Sequence, residues 1–313
     1  MEGMPFQPVL LQQGWAPFDW AQPPRGDAQA QAYFGYYGID FEQRQPQLEH
    51  GFGYVDAAGF RIAVHSWRPP SARGTVWVVH GYFDHVGLYR HVIGALLAAG
   101  WAVVAFDLPG HGLSSGARAV ITDFDLYQQV LNHCLAGAAG HFPGPWHAVG
   151  QSTGGAILMQ RLLAPDDPFD QVVLLAPLVR PLGYRTASWL HRLVGPFRRF
   201  IRRVFTANSN DPEFLHFLAE LDPLQPRAIS VQWFGALRRW VPRFEALTPV
   251  ARPLWLVQGD MDDTVDWRYN LAMVETKFPA LKVVMLEGAR HQLANESERY
   301  RARIRQVFHD AFA

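Results

Sequence analysis

Cysteine, lysine and long apolar stretches are nearly absent from this sequence of 313 residues. Its single cysteine, Cys134, excludes an intrachain disulfide. Basic and acidic side chains are equal in number, at 28 each, so no net charge favours a nucleic acid partner. No run approaches the ~18 consecutive apolar residues of a membrane-spanning helix, and the first residues lack the basic and apolar regions of a signal peptide. We therefore expect a cytoplasmic protein.

A metal-binding pattern is also lacking. His80, His85 and His91 do not form a convincing set of ligands, and one cysteine adds nothing to them. We predict no metal site.

Short apolar runs alternate with helical patterns from residue 52 onward. Six runs typical of strands buried on both faces lie at residues 75–79, 102–106, 146–149, 172–175, 254–257 and 283–286. Helical patterns cover residues 88–99, 123–139, 153–163, 265–277 and 296–310. A hairpin with its turn at residues 56–59 precedes them. This alternation predicts an α/β fold with a mostly parallel sheet flanked by helices.

Two segments interrupt this pattern. Residues 1–50 are rich in glutamine, proline and aromatics, and we predict an irregular N-terminal extension that packs on the body through its aromatic side chains. Residues 178–247 contain eleven arginines against five acidic residues, a formal charge of +6, and eleven aromatics. We predict that they form a helical insertion into a core made of residues 51–177 and 248–313.

Within the insertion, residues 189–205 have the pattern of one helix with an apolar face. Five arginines fall largely off that face: Arg192, Arg198, Arg199, Arg202 and Arg203. One interpretation is a lid helix over the active site. The other is a helix that contacts a membrane surface, and both can hold together.

The motif GQSTGG, residues 150–155, carries the strongest chemical signal. It stands where a predicted strand meets a predicted helix, and G-x-S-x-G in that setting is a nucleophile elbow. Glycines suit such a tight turn because side chains there would clash with neighbouring backbone. The motif predicts Ser152 as a nucleophile.

A serine hydroxyl needs a base to take its proton and an acid to orient the base, in the chain order Ser, acid, His for this fold. His291 follows the last predicted strand, which makes it the candidate base. Four aspartates follow the strand before it, and their spacing alone does not choose among them: Asp260, Asp262, Asp263 and Asp266.

The segment HGYFDH, residues 80–85, follows the first buried run. Its glycine allows backbone N–H groups to approach a substrate oxygen, so the N–H groups of Tyr82 and Thr153 are the predicted oxyanion hole. We interpret His80 and His85 as structural residues that brace this loop. The same interpretation applies to His111 and Ser114 in the later turn PGHGLS.

At these motifs the chain resembles the bacterial lysophospholipase and monoacylglycerol lipase group of α/β-hydrolases, the serine-aminopeptidase-like hydrolases. Residues 80–116 match its oxyanion loop, first helix and next strand, and GQSTGG replaces the commoner GHSMGG. In that group the acid stands three residues after a strand-end glycine and three before a valine, which here selects Asp262, between Gly259 and Val265. The resemblance covers residues 52–312, although the insertion matches loosely.

The resemblance implies an α/β-hydrolase fold with a helical lid, residues 178–247, and hydrolysis of a fatty-acyl ester such as a monoacylglycerol or lysophospholipid through an acyl-enzyme on Ser152. It implies no organic cofactor and no metal. Acyl transfer or thioester cleavage by the same residues is an open alternative. A non-catalytic protein that binds ligands with this fold is another, against which an intact set of catalytic residues argues.

Overall fold

The computed structural model describes residues 6–313, and the first five residues of the predicted extension lie outside them. The ten strands are β1 Glu49–Ala57, β2 Phe60–Arg68, β3 Thr75–Val79, β4 Ala102–Phe106, β5 Trp146–Gln151, β6 Gln171–Leu175, β7 Phe200–Arg202, β8 Ala228–Ser230, β9 Leu254–Gly259 and β10 Leu281–Leu286. Eight of them form one sheet in the order β1-β2-β4-β3-β5-β6-β9-β10. Strand β2 is antiparallel to both its neighbours, and all other neighbouring pairs are parallel.

Ten α-helices accompany the strands within residues 6–313. They are α1 Pro8–Gly14, α2 Ala28–Tyr37, α3 Arg90–Ala98, α4 Asp125–Ala138, α5 Thr153–Leu162, α6 Tyr184–Val194, α7 Pro212–His216, α8 Val231–Ala246, α9 Trp267–Lys277 and α10 Glu298–Ala311. Apolar side chains of α2, α3 and α10 pack on one face of the sheet, and those of α4, α5, α8 and α9 pack on the other. None of the helices in residues 6–313 is both long and apolar enough to cross a membrane.

The predicted α/β fold is confirmed. The runs at residues 75–79 and 102–106 are strands β3 and β4, and every residue of both is buried. The hairpin turn consists of Ala58 and Gly59, both with positive φ, as the tightest β-hairpins require. Strand β10 differs from the prediction of burial on both faces, since Val283 and Met285 are exposed. It lies at the edge of the sheet, with β9 as its sheet neighbour.

The described part of the N-terminal extension departs from the irregular structure that we predict. It forms helices α1 and α2, and Asp27 caps α2 by accepting a hydrogen bond from the N–H of Ala30. Several of its aromatic side chains are buried, and Tyr33 and Phe34 are fully so. The backbone of residues 16–18 also pairs with Tyr54 at the outer edge of β1. The extension therefore covers an otherwise open sheet edge and contributes to the core.

The prediction of a single helix at residues 189–205 is wrong. Helix α6 ends at Val194, and the chain then forms β7, which pairs with β8 in a separate two-stranded sheet. Pro196, the second residue after the helix, explains the break, since proline has no backbone N–H to continue the helical hydrogen bonds and its ring clashes with the carbonyl of the preceding turn. Helix α8 fills the end of the insertion, where Trp233 and Trp240 are buried against the core.

Candidate active site

Ser152 occupies the sharp turn between β5 and α5. Its φ of 51° is unusual for a residue with a side chain, and such strained backbone is typical of a nucleophile elbow. Flanking glycines make the turn possible. A methyl group on Gly154 would lie 2.0 Å from the carbonyl oxygen of Val79, and one on Gly150 would lie 2.8 Å from the carbonyl of Gly154. The elbow therefore packs directly against the end of β3.

His291 and Asp262 form a buried pair on the loops that follow β10 and β9. The Nδ1 of His291 lies 2.7 Å from Oδ2 of Asp262. The other carboxylate oxygen accepts hydrogen bonds from the N–H groups of Thr264 and Val265, at 2.9 and 3.1 Å. These bonds fix the carboxylate, which in turn fixes the orientation of the imidazole ring.

The electrostatics of this pair favour charge separation. Burial alone raises the pKa of Asp262, but the positive charge and hydrogen bond of His291, with two backbone N–H groups, lower that pKa below its usual value. Burial likewise lowers the pKa of His291, but the charge and hydrogen bond of Asp262, with the charges of Asp84 and Asp263, more than offset it, so that the pKa of His291 is raised. An imidazolium formed during a reaction is thus stabilised at this position.

The other three aspartates of the loop have different partners. Asp260 accepts a hydrogen bond from the N–H of Gly288 at 2.7 Å, and Asp266 caps helix α9. Asp263 is exposed and lies 3.7 Å from Arg290. Of the four candidates, Asp262 is therefore the aspartate that contacts His291.

Ser152 and His291 both line one cavity, described below. No hydrogen bond joins Ser152 Oγ to the His291 ring within residues 6–313. The roles of Ser152, His291 and Asp262, including the proton transfer between the first two, stay predictions.

The loop after β3 approaches the elbow closely. A methyl group on Gly81 would lie 3.4 Å from Cβ of Ser152, and the N–H of Gly81 donates to the Tyr89 hydroxyl at 3.0 Å. Among the described residues, the backbone N–H groups of Tyr82 and Thr153 donate to no protein acceptor. Two free donors at the edge of the cavity are compatible with the predicted oxyanion hole.

The remaining histidines of these loops brace the backbone. His80 accepts a hydrogen bond from the N–H of Leu108 at 2.9 Å, and His85 pairs with Asp222 at 3.1 Å, with both side chains buried. His111 contacts the carbonyl of Pro109. Ser114, the other residue interpreted as structural, donates to the carbonyl of Asp107 and accepts from the N–H of Ala63.

Gln151 supports the site, although the sequence analysis assigned it no role. Its side-chain amide donates to the backbone carbonyl of His291 at 2.8 Å and accepts from the N–H of Ala294 at 3.3 Å. Gln292, the residue after His291, donates to the buried carboxylate of Asp84 at 2.9 Å. The loop that carries His291 is thus tied to both the elbow and the oxyanion loop. The position of Gln151, beside the nucleophile in GQSTGG, is the one sequence signal that could have suggested its supporting role.

A cavity of about 490 Å³ lies between the insertion and the ends of the strands. Ser152 and His291 line its floor with Tyr82, whose ring stacks on Trp233 of the insertion at 3.8 Å. The insertion contributes a mostly apolar wall: Leu178, Pro181, Leu182, Ala187, Leu190, Ile201, Ile229, Val231, Trp233 and Phe234. Such a volume and lining suit a ligand with an apolar chain.

Comparison with known proteins agrees with this geometry. The family model described as serine aminopeptidase, S33, matches residues 70–298. The mouse monoglyceride lipase is 31% identical over 77% of this chain and 83% of its own length. The monoacylglycerol lipase of Mycolicibacterium smegmatis is 29% identical over 80% of this chain and 92% of its own.

A solved structure shares the fold. The crystal structure of the Paleococcus ferrophilus monoacylglycerol lipase superposes with a TM-score of 0.67 at 22% identity, covering 79% of this chain and 97% of that one. At such low identity the likeness concerns the fold alone, which is that of the α/β-hydrolases. With most of the chain matched by the family model, the protein belongs to the serine aminopeptidase (S33) family of α/β-hydrolases and is a carboxylic ester hydrolase.

Proposed function

We propose that the chain hydrolyses fatty-acyl esters such as monoacylglycerols or lysophospholipids. Ser152 is the nucleophile, His291 the general base and Asp262 the acid that orients it, while the N–H groups of Tyr82 and Thr153 form the oxyanion hole. The observation that carries this proposal is the buried Asp262–His291 pair, which shares one apolar cavity with a serine on a strained elbow.

The reaction follows in two steps. His291 takes the proton of the Ser152 hydroxyl as Oγ attacks the ester carbonyl, and the carbonyl oxygen becomes an oxyanion that the two backbone N–H groups stabilise. The carbon–oxygen bond to the alcohol then breaks, and the alcohol leaves with the proton from His291. Water, activated by the same imidazole, attacks the acyl-enzyme and releases the fatty acid and the free serine.

The acyl chain accounts for the apolar wall of the cavity. Each buried methylene stabilises the complex by about 0.8 kcal/mol, so chain-length preference should depend on residues such as Leu190 and Phe234. The names of the two curated relatives, a monoglyceride lipase and a monoacylglycerol lipase, support an acylglycerol substrate.

The test is an activity panel with purified protein. We expect hydrolysis of p-nitrophenyl esters, monoacylglycerols and lysophospholipids, with a preference for one acyl length. Ser152→Ala should reduce kcat by about 10⁶-fold and should abolish labelling by a fluorophosphonate probe. Labelling that survives this substitution would falsify the assignment of Ser152.

We infer further that residues 178–247 act as a lid that also contacts lipid surfaces. Trp189, Phe197 and Val204 are exposed by 59%, 84% and 75%, and such a concentration of exposed apolar side chains is unusual on a protein surface. Exposed arginines lie among them, so an anionic lipid surface has complementary charge. This surface adjoins the cavity, since Leu190 and Ile201 belong to both.

Replacing Arg198, Arg199 and Arg202 with glutamine tests this inference. Turnover of p-nitrophenyl butyrate should stay unchanged, since none of the three lines the cavity. Sedimentation with phosphatidylglycerol vesicles should fall, and its sensitivity to salt should shrink, because exposed charges act over a Debye length of about 8–10 Å near physiological ionic strength.

A matched control uses three exposed arginines outside the insertion, Arg44, Arg268 and Arg303, replaced in the same way. Their substitution lowers the net charge equally, so vesicle binding should change little. Equal losses in both triple variants would mean that overall charge, and not the surface of the lid, attracts the vesicles.

A further inference from the structure

Arg203 is the one arginine or lysine among the described residues that line the catalytic cavity. It directly follows strand β7, whose last residue, Arg202, is exposed. A single helix at residues 189–205, as the sequence pattern predicts, would place both among the surface arginines. Because the segment is a strand, these neighbouring side chains point to opposite sides, and Arg203 reaches the cavity.

A buried chain of hydrogen bonds holds the guanidinium group. Its Nη1 donates to the side-chain oxygen of Gln225 and to the carbonyl of Pro226. The Gln225 amide donates to Asp222 at 2.9 Å, and Asp222 is paired with His85 at 3.1 Å. Gln225, Asp222 and His85 are all at least nine-tenths buried. This network fixes the position of Arg203 before any ligand arrives.

Aromatic rings cover the flat faces of the guanidinium. Its Cζ lies 4.0 Å from the ring centre of Phe83 and 4.4 Å from that of Phe205. Such stacking leaves the N–H groups at the rim as the polar contacts that the group can still make. Phe83 follows Tyr82, so this rim lies close to the predicted oxyanion hole.

The charge of Arg203 has no direct counter-ion. Within residues 6–313, no carboxylate lies within 4.0 Å of it, and its Nε and Nη2 atoms have no protein acceptor. Burial lowers the pKa of Arg203 to about 10, while Asp84 acts in the opposite direction, so the group stays charged at neutral pH. Arg203 is only partly buried, so the N–H groups that have no protein acceptor remain accessible to a ligand in the cavity that supplies the anion.

We propose that Arg203 binds a phosphate group on the alcohol side of the ester, so that the substrates include acylglycerol phosphates and other lysophospholipids. Two donors in a fixed plane match two oxygens of a phosphate, which a neutral glycerol offers less well. The acyl chain would occupy the apolar part of the cavity, with the ester at Ser152 and the phosphate at Arg203. This inference rests on the proposed function, because it identifies which ester that site prefers.

The first experiment compares two esters with the same acyl chain, 1-decanoylglycerol and 1-decanoylglycerol 3-phosphate, below their micellar concentrations. Arg203→Gln should reduce kcat/KM for the phosphate ester by roughly 10- to 100-fold, the usual effect of losing a charge-assisted hydrogen bond. The neutral ester and p-nitrophenyl butyrate should change by less than about threefold. Arg203→Lys should retain part of the preference, since it keeps the charge and loses the planar fork.

The control variant is Arg185→Gln, which removes an exposed arginine of helix α6. It should leave all three substrates unaffected, and melting temperatures of all variants should show that each is folded. Equal losses on all three substrates in Arg203→Gln would overturn the inference, because Arg203 would then support the oxyanion loop. An unchanged preference for the phosphate ester would overturn it as well.

Binding separates this inference from the proposed function. Calorimetry of Ser152→Ala with 1-O-decylglycerol 3-phosphate, an ether that cannot be hydrolysed, should give a lower Kd than the neutral ether. The additional substitution Arg203→Gln should remove the difference. If the phosphate ether binds with the lower Kd but the wild type has no esterase activity, the proposed function alone would be contradicted. Equal affinity for both ethers would contradict the role of Arg203 alone.

Discussion

The substitution Gln151→Leu tests how the elbow holds the catalytic histidine. Leucine has a similar size but cannot make the two hydrogen bonds of Gln151, to the carbonyl of His291 and the N–H of Ala294. Both backbone groups would remain buried without partners, and each such loss costs about 1–3 kcal/mol. We therefore expect the free energy of unfolding to fall by about 2–6 kcal/mol. For a chain of this length that is a decrease in Tm of about 3–9 °C.

The kcat/KM of Gln151→Leu should fall more than its loss of stability alone would explain. A loop that loses both anchors shifts the imidazole relative to Ser152, and a displacement of about 1 Å is enough to cost roughly 100-fold in rate. The assay is kcat/KM with p-nitrophenyl butyrate, a small soluble ester that needs neither lid nor membrane, measured well below the melting temperature.

Gln160, on helix α5 after the elbow, offers a matched control. Its side chain also makes two hydrogen bonds, to Asp125 at 3.3 Å and from Trp240 at 2.6 Å, but it does not line the cavity. Gln160→Leu should lower Tm by a similar amount and leave kcat/KM near that of the wild type. A Gln151→Leu variant with a lowered Tm but wild-type kcat/KM, or equal losses of activity in the two variants, would refute a positioning role for Gln151.

Two other perturbations test the pair and the elbow. Asp262→Asn should lower kcat/KM by about 10⁴-fold. In the wild type, kcat/KM should rise with pH, because only the neutral ring of His291 accepts a proton. The midpoint of the rise should lie above the ordinary histidine pKa of about 6.5, since the nearby carboxylates, Asp262 foremost, outweigh burial and raise the pKa of His291. A profile centred below 6.5 would contradict this. Gly154→Ala should lower kcat at least ~100-fold, since the added methyl group would collide with the backbone of Val79. Its control is Gly35→Ala in helix α2, where a methyl group meets no close neighbour, and this variant should retain full activity.

Local patterns predicted the core of the fold well. Strands β3 and β4 have the predicted bounds, because a continuous apolar run is sufficient to mark a strand buried on both faces. The elbow was equally visible, since it lies within six consecutive residues. The choice of Asp262 among four aspartates needed the family resemblance, because it depends on a contact with a residue 29 positions away.

Long-range contacts explain what the sequence analysis missed. Gln151 meets the loop of His291 across 140 residues, and no local pattern reports such a bond. The pattern at residues 189–205 was misleading because alternating clusters of apolar residues and arginine fit both a helix and a strand. Pro196 is the local signal that the helix ends there. The cytoplasmic location and the membrane contact stay predictions.

The N-terminal extension has a consequence for recombination between relatives. Tyr36 donates to the carbonyl of Leu221 and Tyr37 to the carboxylate of Asp222, so the extension contacts the insertion from outside the range of the family model. Asp222 is also the residue that anchors Gln225 beneath Arg203. Insertion and extension therefore form one structural unit, although 127 residues of core separate them in the chain. A chimaera that exchanges the insertion alone would leave two tyrosines without their acceptors, and substrate preference should transfer intact only when both segments are exchanged together.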